Sequence, residues 1–300
     1  MSRFPSPPVR ATPTLVRMGR IRASFQIISA SWAVLRQDKE LLVLPVFSFL
    51  STVVTMALFG AGMVAANGGL PADGESPSLV VYVLGFAAWV VLAVITVFFN
   101  AAMISAANER MGGGDPTVES ALAGAMAHIG PIVVWGLISA TVSQVLRNLQ
   151  ERAGLLGRIV IGLVGMAWAL VTFLVLPILV IEGVGVKEAV GRSKDLFRRT
   201  WGEQVVGNAA IGLGAFLLVL AALPIVGLFA ITGSTPIIVV GVALGLLWVA
   251  VVGTVAAALS GIFQTALYRY ASAGEVPVGY TAEHFALAFR PKPTSGAFGR

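Results

Sequence analysis

The chain has 300 residues, 57% of them hydrophobic and 11% charged, with a formal net charge of +6 and a mean hydropathy of +0.90. Soluble domains carry roughly 25% charged residues, so a wholly water-covered surface is excluded and lipid is the solvent for much of this chain. The sequence has no cysteine, which removes disulfides, thiolate metal sites and a cysteine nucleophile.

The first 17 residues are proline-rich and lack the apolar core of a signal peptide. They are expected to form a disordered cytoplasmic tail. Residues 18–290 read as a single integral membrane domain, and residues 291–300 as a flexible C-terminal tail. Six apolar stretches, near 41–66, 78–107, 131–150, 155–181, 204–231 and 236–268, are each long enough to cross a hydrocarbon core, which takes about 20 helical residues. In lipid such stretches must be helices, because no water is present to satisfy an irregular backbone. The expected fold class is therefore all-α: a polytopic bundle of about six spans, with amphipathic helices at its cytoplasmic interface.

Orientation follows from the basic residues. With six spans, 17 of the 20 Lys and Arg residues fall on the side that carries both termini, and three fall opposite, at Arg147, Arg152 and Arg158. The positive-inside rule then places both termini in the cytoplasm, with the chain in a bacterial cell membrane. The net charge is read as this bias, so nucleic acid is not an expected partner. The three opposing arginines are the misfit, and they imply a shallow hairpin or side chains that snorkel to the headgroups.

Three shorter segments, 20–37, 117–129 and 187–200, each precede a pair of spans. At about 100° per residue, the third places Val186, Ala189, Val190, Ser193, Leu196, Phe197, Thr200 and Trp201 on one side. Lys187, Arg192, Lys194, Arg198 and Arg199 fall on the other, as candidate contacts for anionic lipid headgroups. In the first segment, Ile21, Phe25, Ile28, Trp32 and Leu35 share one arc. Asp115 followed by Pro116 predicts the start of the second, and Thr200 with Glu203 has the capping-box spacing for the fifth span. The order suggests three repeats of one interface helix and two spans.

Three stretches carry a family resemblance: GRIRASFQIISASWAVLRQDKELLVLPVFS, VIEGVGVKEAVGRSKDLFRRTWGEQVVGN and GIFQTALYRYASAGEVP. Together they resemble an uncharacterised family of bacterial and archaeal six-span membrane proteins, a domain of unknown function, over roughly residues 18–292. The resemblance implies the architecture and no activity. The motif "EA…S…F…W" ahead of a hydrophobic span is more loosely similar to membrane domains fused to glycerophosphodiester phosphodiesterases. No such catalytic domain is expected here.

Polar residues within spans are the default places to look for function, because they are costly in hydrocarbon. Asn100 lies late in the second span. Gln144 and Asn148 share a face of the third. Ser260, Gln264 and Tyr268 share a face of the last. These could line a substrate path, but hydrogen bonding between helices is the preferred reading. Glu182, at the end of the fourth span, could bind a cation or proton; pairing with Arg192 or Arg199 is preferred. Gly241 and Gly245 have GxxxG spacing, read as internal packing, and MGGGDP lacks the Lys-Ser/Thr of a phosphate loop. His128 reads as a polar-edge residue. The two histidines, His128 and His284, fall in no HExxH-like spacing, and no GxSxG nucleophile motif occurs.

No catalytic, metal or cofactor site is therefore expected. The preferred function is a non-enzymatic accessory or scaffold protein that engages anionic lipid, with other membrane proteins or a second copy as further partners. The alternative is a transporter or channel-like protein for a small or lipidic solute, passing Asn100, Gln144 and Gln264.

Overall fold

A computed structural model describes residues 29–36, 39–69, 78–200, 205–232, 234–277 and 280. All regular structure among them is helical. Helix α1 covers residues 29–36. A 3-10 turn, Lys39–Leu42, leads into α2, Val43–Ala66, and then α3, Leu79–Met111, and the short α4, Val118–Met126. Next come α5, Ile129–Arg152, α6, Leu155–Thr172, α7, Val175–Glu182, and α8, Val186–Thr200. The chain continues through α9, Val205–Leu220, and α10, Ala222–Ala230, into the long α11, Thr235–Ala273.

Five segments are long and apolar enough to cross a membrane: Val43–Ala66, Leu79–Met111, Ile129–Arg152, Leu155–Glu182 and Thr235–Ala273. The shortest of these, at 24 residues, reaches about 36 Å against a hydrocarbon core of about 30 Å. Two of the expected spans need correction, since neither is one unbroken helix. The fourth divides into α6 and α7, and the fifth, expected at 204–231, into α9 and α10. The cause is the same in both: Pro177 and Pro224 each stand third in the second piece. A proline has no N–H for the carbonyl four residues back, and its ring crowds that carbonyl. Each helix therefore breaks one turn before its proline.

Two residues near opposite ends of the described part of the chain meet. Ser31 on α1 and Tyr280, beyond α11, are both buried, and their hydroxyls are hydrogen-bonded at 2.7 Å across 249 residues of sequence. Helices α9 and α10, each shorter than a full span, pack along α11 and are tied to it by the Trp248 indole, whose Nε1 donates to the Leu218 carbonyl at 2.8 Å. Burial raises the Tyr280 phenol well above its usual value of 10.0. The folded protein therefore holds that proton more tightly than the unfolded chain does. The stability this clasp contributes is complete below about pH 10 and falls as the pH rises further. Thermal unfolding between about pH 9 and about pH 11 should show a smaller drop in Tyr280→Phe than in the parent. Equal drops in the two proteins would count against the clasp.

The core lies at the end of the bundle that carries this clasp. Its largest buried side chains are Leu35, Leu41 and Leu44 near the start, Met103 and Ile104 on α3, Ile178 and Leu179 on α7, and Ile262 on α11. Small residues let these helices close up. A Cβ on Gly124 would lie 2.0 Å from Ser105 Oγ, and one on Gly241 would lie 2.4 Å from Phe229 Cβ. Gly241 thus serves internal packing, as expected of it. At the other end the helices are thinly packed: α6 has no buried residue, and Leu79, Leu155, Leu156 and Ile231 are each more than three-quarters exposed. In hydrocarbon this exposure costs little, since lipid tails are as apolar as leucine.

Local start signals fare unevenly. Helix α4 is capped by Thr117 rather than Asp115. The Thr117 hydroxyl accepts from the Ser120 amide and Ser120 Oγ from the Thr117 amide, each at 3.0 Å. Asp115 is drawn off by Arg110, 3.0 Å away. The capping box at Thr200 and Glu203 lies outside the described residues. On α1, Leu35 is buried but Trp32 is 41% exposed; Ala30, Ser31 and Val34 make up the rest of the packed face. Close packing of α1 therefore selects its small residues, and the bulky indole is left outside. Ile21, Phe25 and Ile28 of the same predicted arc lie outside the described residues. The misfit hairpin is a two-residue link between full-length helices, and Arg158 Nε donates to the Ala153 carbonyl at 3.1 Å.

Candidate functional site

The α6–α7 break organises the polar chemistry. Pro177 offers no N–H to the Phe173 carbonyl, and Gln264 Nε2, from α11, donates to that oxygen instead. The Val171 carbonyl accepts from Ser193 Oγ of α8 at 2.6 Å. Two backbone acceptors at the end of α6 are thus satisfied by side chains from two other helices, which ties α8 and α11 to that end.

One turn further on, α7 ends at Glu182. The next residue, Gly183, has φ +68°, and a Cβ there would lie 3.2 Å from His128 Nε2, so the reversal into α8 needs glycine. Glu182 Oε1 accepts the Tyr268 hydroxyl at 2.6 Å, and Oε2 pairs with Arg192. Arg192 also contacts Glu188 at 2.6 Å. Across the same end, Arg269 donates to both the carbonyl and the side-chain oxygen of Asn108 at 3.2 Å, and to Glu275 at 3.1 Å. A guanidinium on the carbonyls that end α3 also suits the helix dipole. His128 Nδ1 donates to the Gly124 carbonyl at 3.0 Å.

Helix α8 lies over this layer. Ala189 and Ser193 are buried, and Val186, Val190, Leu196 and Phe197 are half-buried, while Lys187, Glu188, Arg192, Lys194 and Asp195 are exposed. Protein, rather than the acyl boundary, receives the buried side of this helix. Arg192, expected as a headgroup contact, is committed to Glu182 and Glu188. The side chains of Arg198 and Arg199 lie outside the described residues.

The structure thus brings Glu182, Arg192, Tyr268 and Gln264 together as a packing and pairing network. Glu182 takes Arg192 as its partner, as preferred from the sequence. Ser260 sits one turn deeper on α11 and is half-buried. The other two intramembrane candidates lie apart. Gln144 is exposed and bonds along its own helix to Asn148 at 3.1 Å. Asn100 is exposed on the wall of a lateral groove of about 500 Å³ between α2, α3 and α11. Of Asn100, Gln144 and Gln264, Asn100 alone lines that groove. Sequence reasoning missed the roles of Pro177, Ser193 and Arg269. A hydroxyl within an otherwise apolar arc was the available signal for Ser193. Among the described residues, no group of three His, Cys, Asp or Glu is placed to hold a metal.

A family of unknown function (DUF6159) matches residues 78–278. The chain belongs to that family. The match takes in α3 to α11, and with them Asn108, Glu182, Arg192, Gln264, Tyr268 and Arg269. It is narrower than the 18–292 expected from the resemblance, and it leaves α1 and α2 outside. No curated protein matches the chain.

Proposed function

We propose that this is a non-enzymatic membrane protein of the cell membrane, an accessory or scaffold, with both termini cytoplasmic and anionic lipid headgroups held along α8. The observation that carries this reading is the way α8 is mounted. Its apolar side is taken up by the bundle, Ser193 pins it to Val171, and Lys187 and Lys194 remain exposed. A basic helix held rigidly at the end of a membrane bundle places cations at headgroup depth without the entropic penalty of ordering a loose segment. Each such cation contributes about 1 kcal/mol near an anionic surface. The 17-to-3 division of basic residues supports the orientation.

The test substitutes Lys187, Lys194, Arg198 and Arg199 by Gln together and leaves Arg192 in place for Glu182. In nanodiscs of phosphatidylglycerol and phosphatidylcholine, the number of phosphatidylglycerol molecules retained by the parent on release into the gas phase should fall in the variant. Retention of phosphatidylcholine should not change. Equal phosphatidylglycerol retention would sink the reading. Because the chain has no native cysteine, Lys194→Cys also reports orientation through a membrane-impermeant maleimide.

A further inference from the structure

The lateral groove between α2, α3 and α11 has a chemistry that plain lipid tails do not match. Its walls include Phe49, Phe99, Met103, Leu246 and Val249, and none of its lining residues is charged. Four polar side chains interrupt this apolar wall. Two of them, Thr96 and Thr254, donate their hydroxyls to the Leu92 and Ala250 carbonyls of their own helices. Asn100 and Ser48 are different: neither side chain has a hydrogen-bond partner among the described residues. Asn100 lies eight residues before Asn108, which Arg269 ties into the polar layer. That places Asn100 about 12 Å below the layer, near the middle of a hydrocarbon core of about 30 Å. An unsatisfied carboxamide there costs several kcal/mol, and an acyl chain has nothing to offer it at that depth.

Depth and chemistry decide between the occupants. Along α11 the groove runs from Leu246 to Ala257, about 16 Å at helical rise, a length that suits an extended chain. A helix from a partner or a second copy would satisfy Asn100 only by carrying a polar side chain of its own to that depth, which is costly in hydrocarbon. A lipid brings its polar group at the end of an apolar chain.

From these observations we infer that the groove binds a neutral single-chain lipid whose hydroxyl or carbonyl group hydrogen-bonds to Asn100 and Ser48. Each of these side chains both donates and accepts, so either head group is served. The absence of charge along the wall favours a neutral head over a phosphate or carboxylate. The volume lies within the usual range for small-molecule sites, about 300–1,000 Å³. None of the groove's lining residues belongs to α8, so the inference stands apart from the headgroup reading.

Photolabelling of the full chain in phosphatidylcholine nanodiscs tests it. The probes are a long-chain alcohol and the matching methyl ketone, each with a diazirine and an alkyne on the chain. A phosphatidylcholine with the same diazirine on its acyl chain is the comparison. At least one of the first two should label peptides containing Phe49, Met103 or Val249 in preference to the phospholipid probe. Asn100→Leu should reduce that labelling about fivefold, the equivalent of one hydrogen bond of about 1 kcal/mol. A second variant guards against misfolding at Asn100. A Cβ on Gly253 meets nothing within 4 Å and Gly253 lines the groove, so Gly253→Phe starts in open space there and should block labelling. Equal labelling by the phospholipid probe, or no loss in either variant, would mean that bulk lipid fills the groove and would overturn the inference. So would failure of both neutral probes to label these peptides.

Discussion

Gln264→Leu is expected to destabilise the protein by about 2 kcal/mol, and Pro177→Ala to recover much of that loss in the double variant. The Phe173 carbonyl has lost its helical donor to Pro177, and the Gln264 amide serves it from α11. Leucine fills a similar volume but offers no donor, so a carbonyl inside the bundle is left unpaired. Between helices in membranes a single hydrogen bond is often worth only about 0.6 kcal/mol, because the loosened chain finds other partners. This one lies at the larger end because the broken backbone offers no substitute. Alanine at 177 restores an N–H four residues after Phe173. Phe173 is already helical at φ −56°, ψ −38°, and Leu174 at φ −95°, ψ 2° lies close to it, so little rearrangement is needed. Thermal unfolding of the four proteins in detergent gives the cycle directly. Strictly additive losses would show that Gln264 acts by some route other than the Phe173 carbonyl.

Arg192→Gln is the second large effect, at about 2 kcal/mol of destabilisation, and the pair Glu182→Gln with Arg192→Gln should lose less than half of that. Removing Arg192 leaves the Glu182 carboxylate with the Tyr268 hydroxyl alone. Truncating one partner of a fully buried pair costs about 3–5 kcal/mol, whereas exposed pairs are worth about 0–1 kcal/mol. Glu182 keeps 19% of its side-chain surface exposed and Arg192 47%, so the value falls between these limits. A neutral Gln at 182 no longer needs a cation and can still accept from Tyr268. Stability measured by chemical unfolding separates the cases: if the double variant is as damaged as the single one, repacking rather than an orphaned charge explains the loss.

Much of the exposed-versus-buried division was legible because it follows from local periodicity. On α8, Ala189 and Ser193 were placed on the covered side, and Lys187 and Lys194 on the open one, by counting residues along a helix. Glu182 and Arg192 were legible as a pair because only the short turn Gly183–Val184–Gly185 separates the helices that carry them. The stripe Ser260, Gln264, Tyr268 was legible as a face, but its targets were not. Phe173 and Glu182 lie 91 and 86 residues away from Gln264 and Tyr268, and only packing brings them together. Gln144 and Asn100 looked equivalent as polar residues in apolar spans. Which of them turns toward a groove depends on helix rotation, and a chain with apolar residues all round its helices does not encode that locally.

The sequence by itself determined that this chain is helical, that several of its helices are long and apolar enough to cross a membrane, and that Lys187 and Lys194 lie on the open side of α8. These follow from composition, length, charge and local periodicity, which act residue by residue on transfer between water and hydrocarbon. Tertiary structure decided the rest: the breaks one turn before Pro177 and Pro224, the closing bond between Ser31 and Tyr280, the rescue of the Phe173 carbonyl by Gln264, and the groove beside Asn100. In a bilayer the apolar effect puts helices into the membrane but scarcely chooses their neighbours. That choice is left to close contacts between small residues and to hydrogen bonds between distant ones, which exist only once the helices have met.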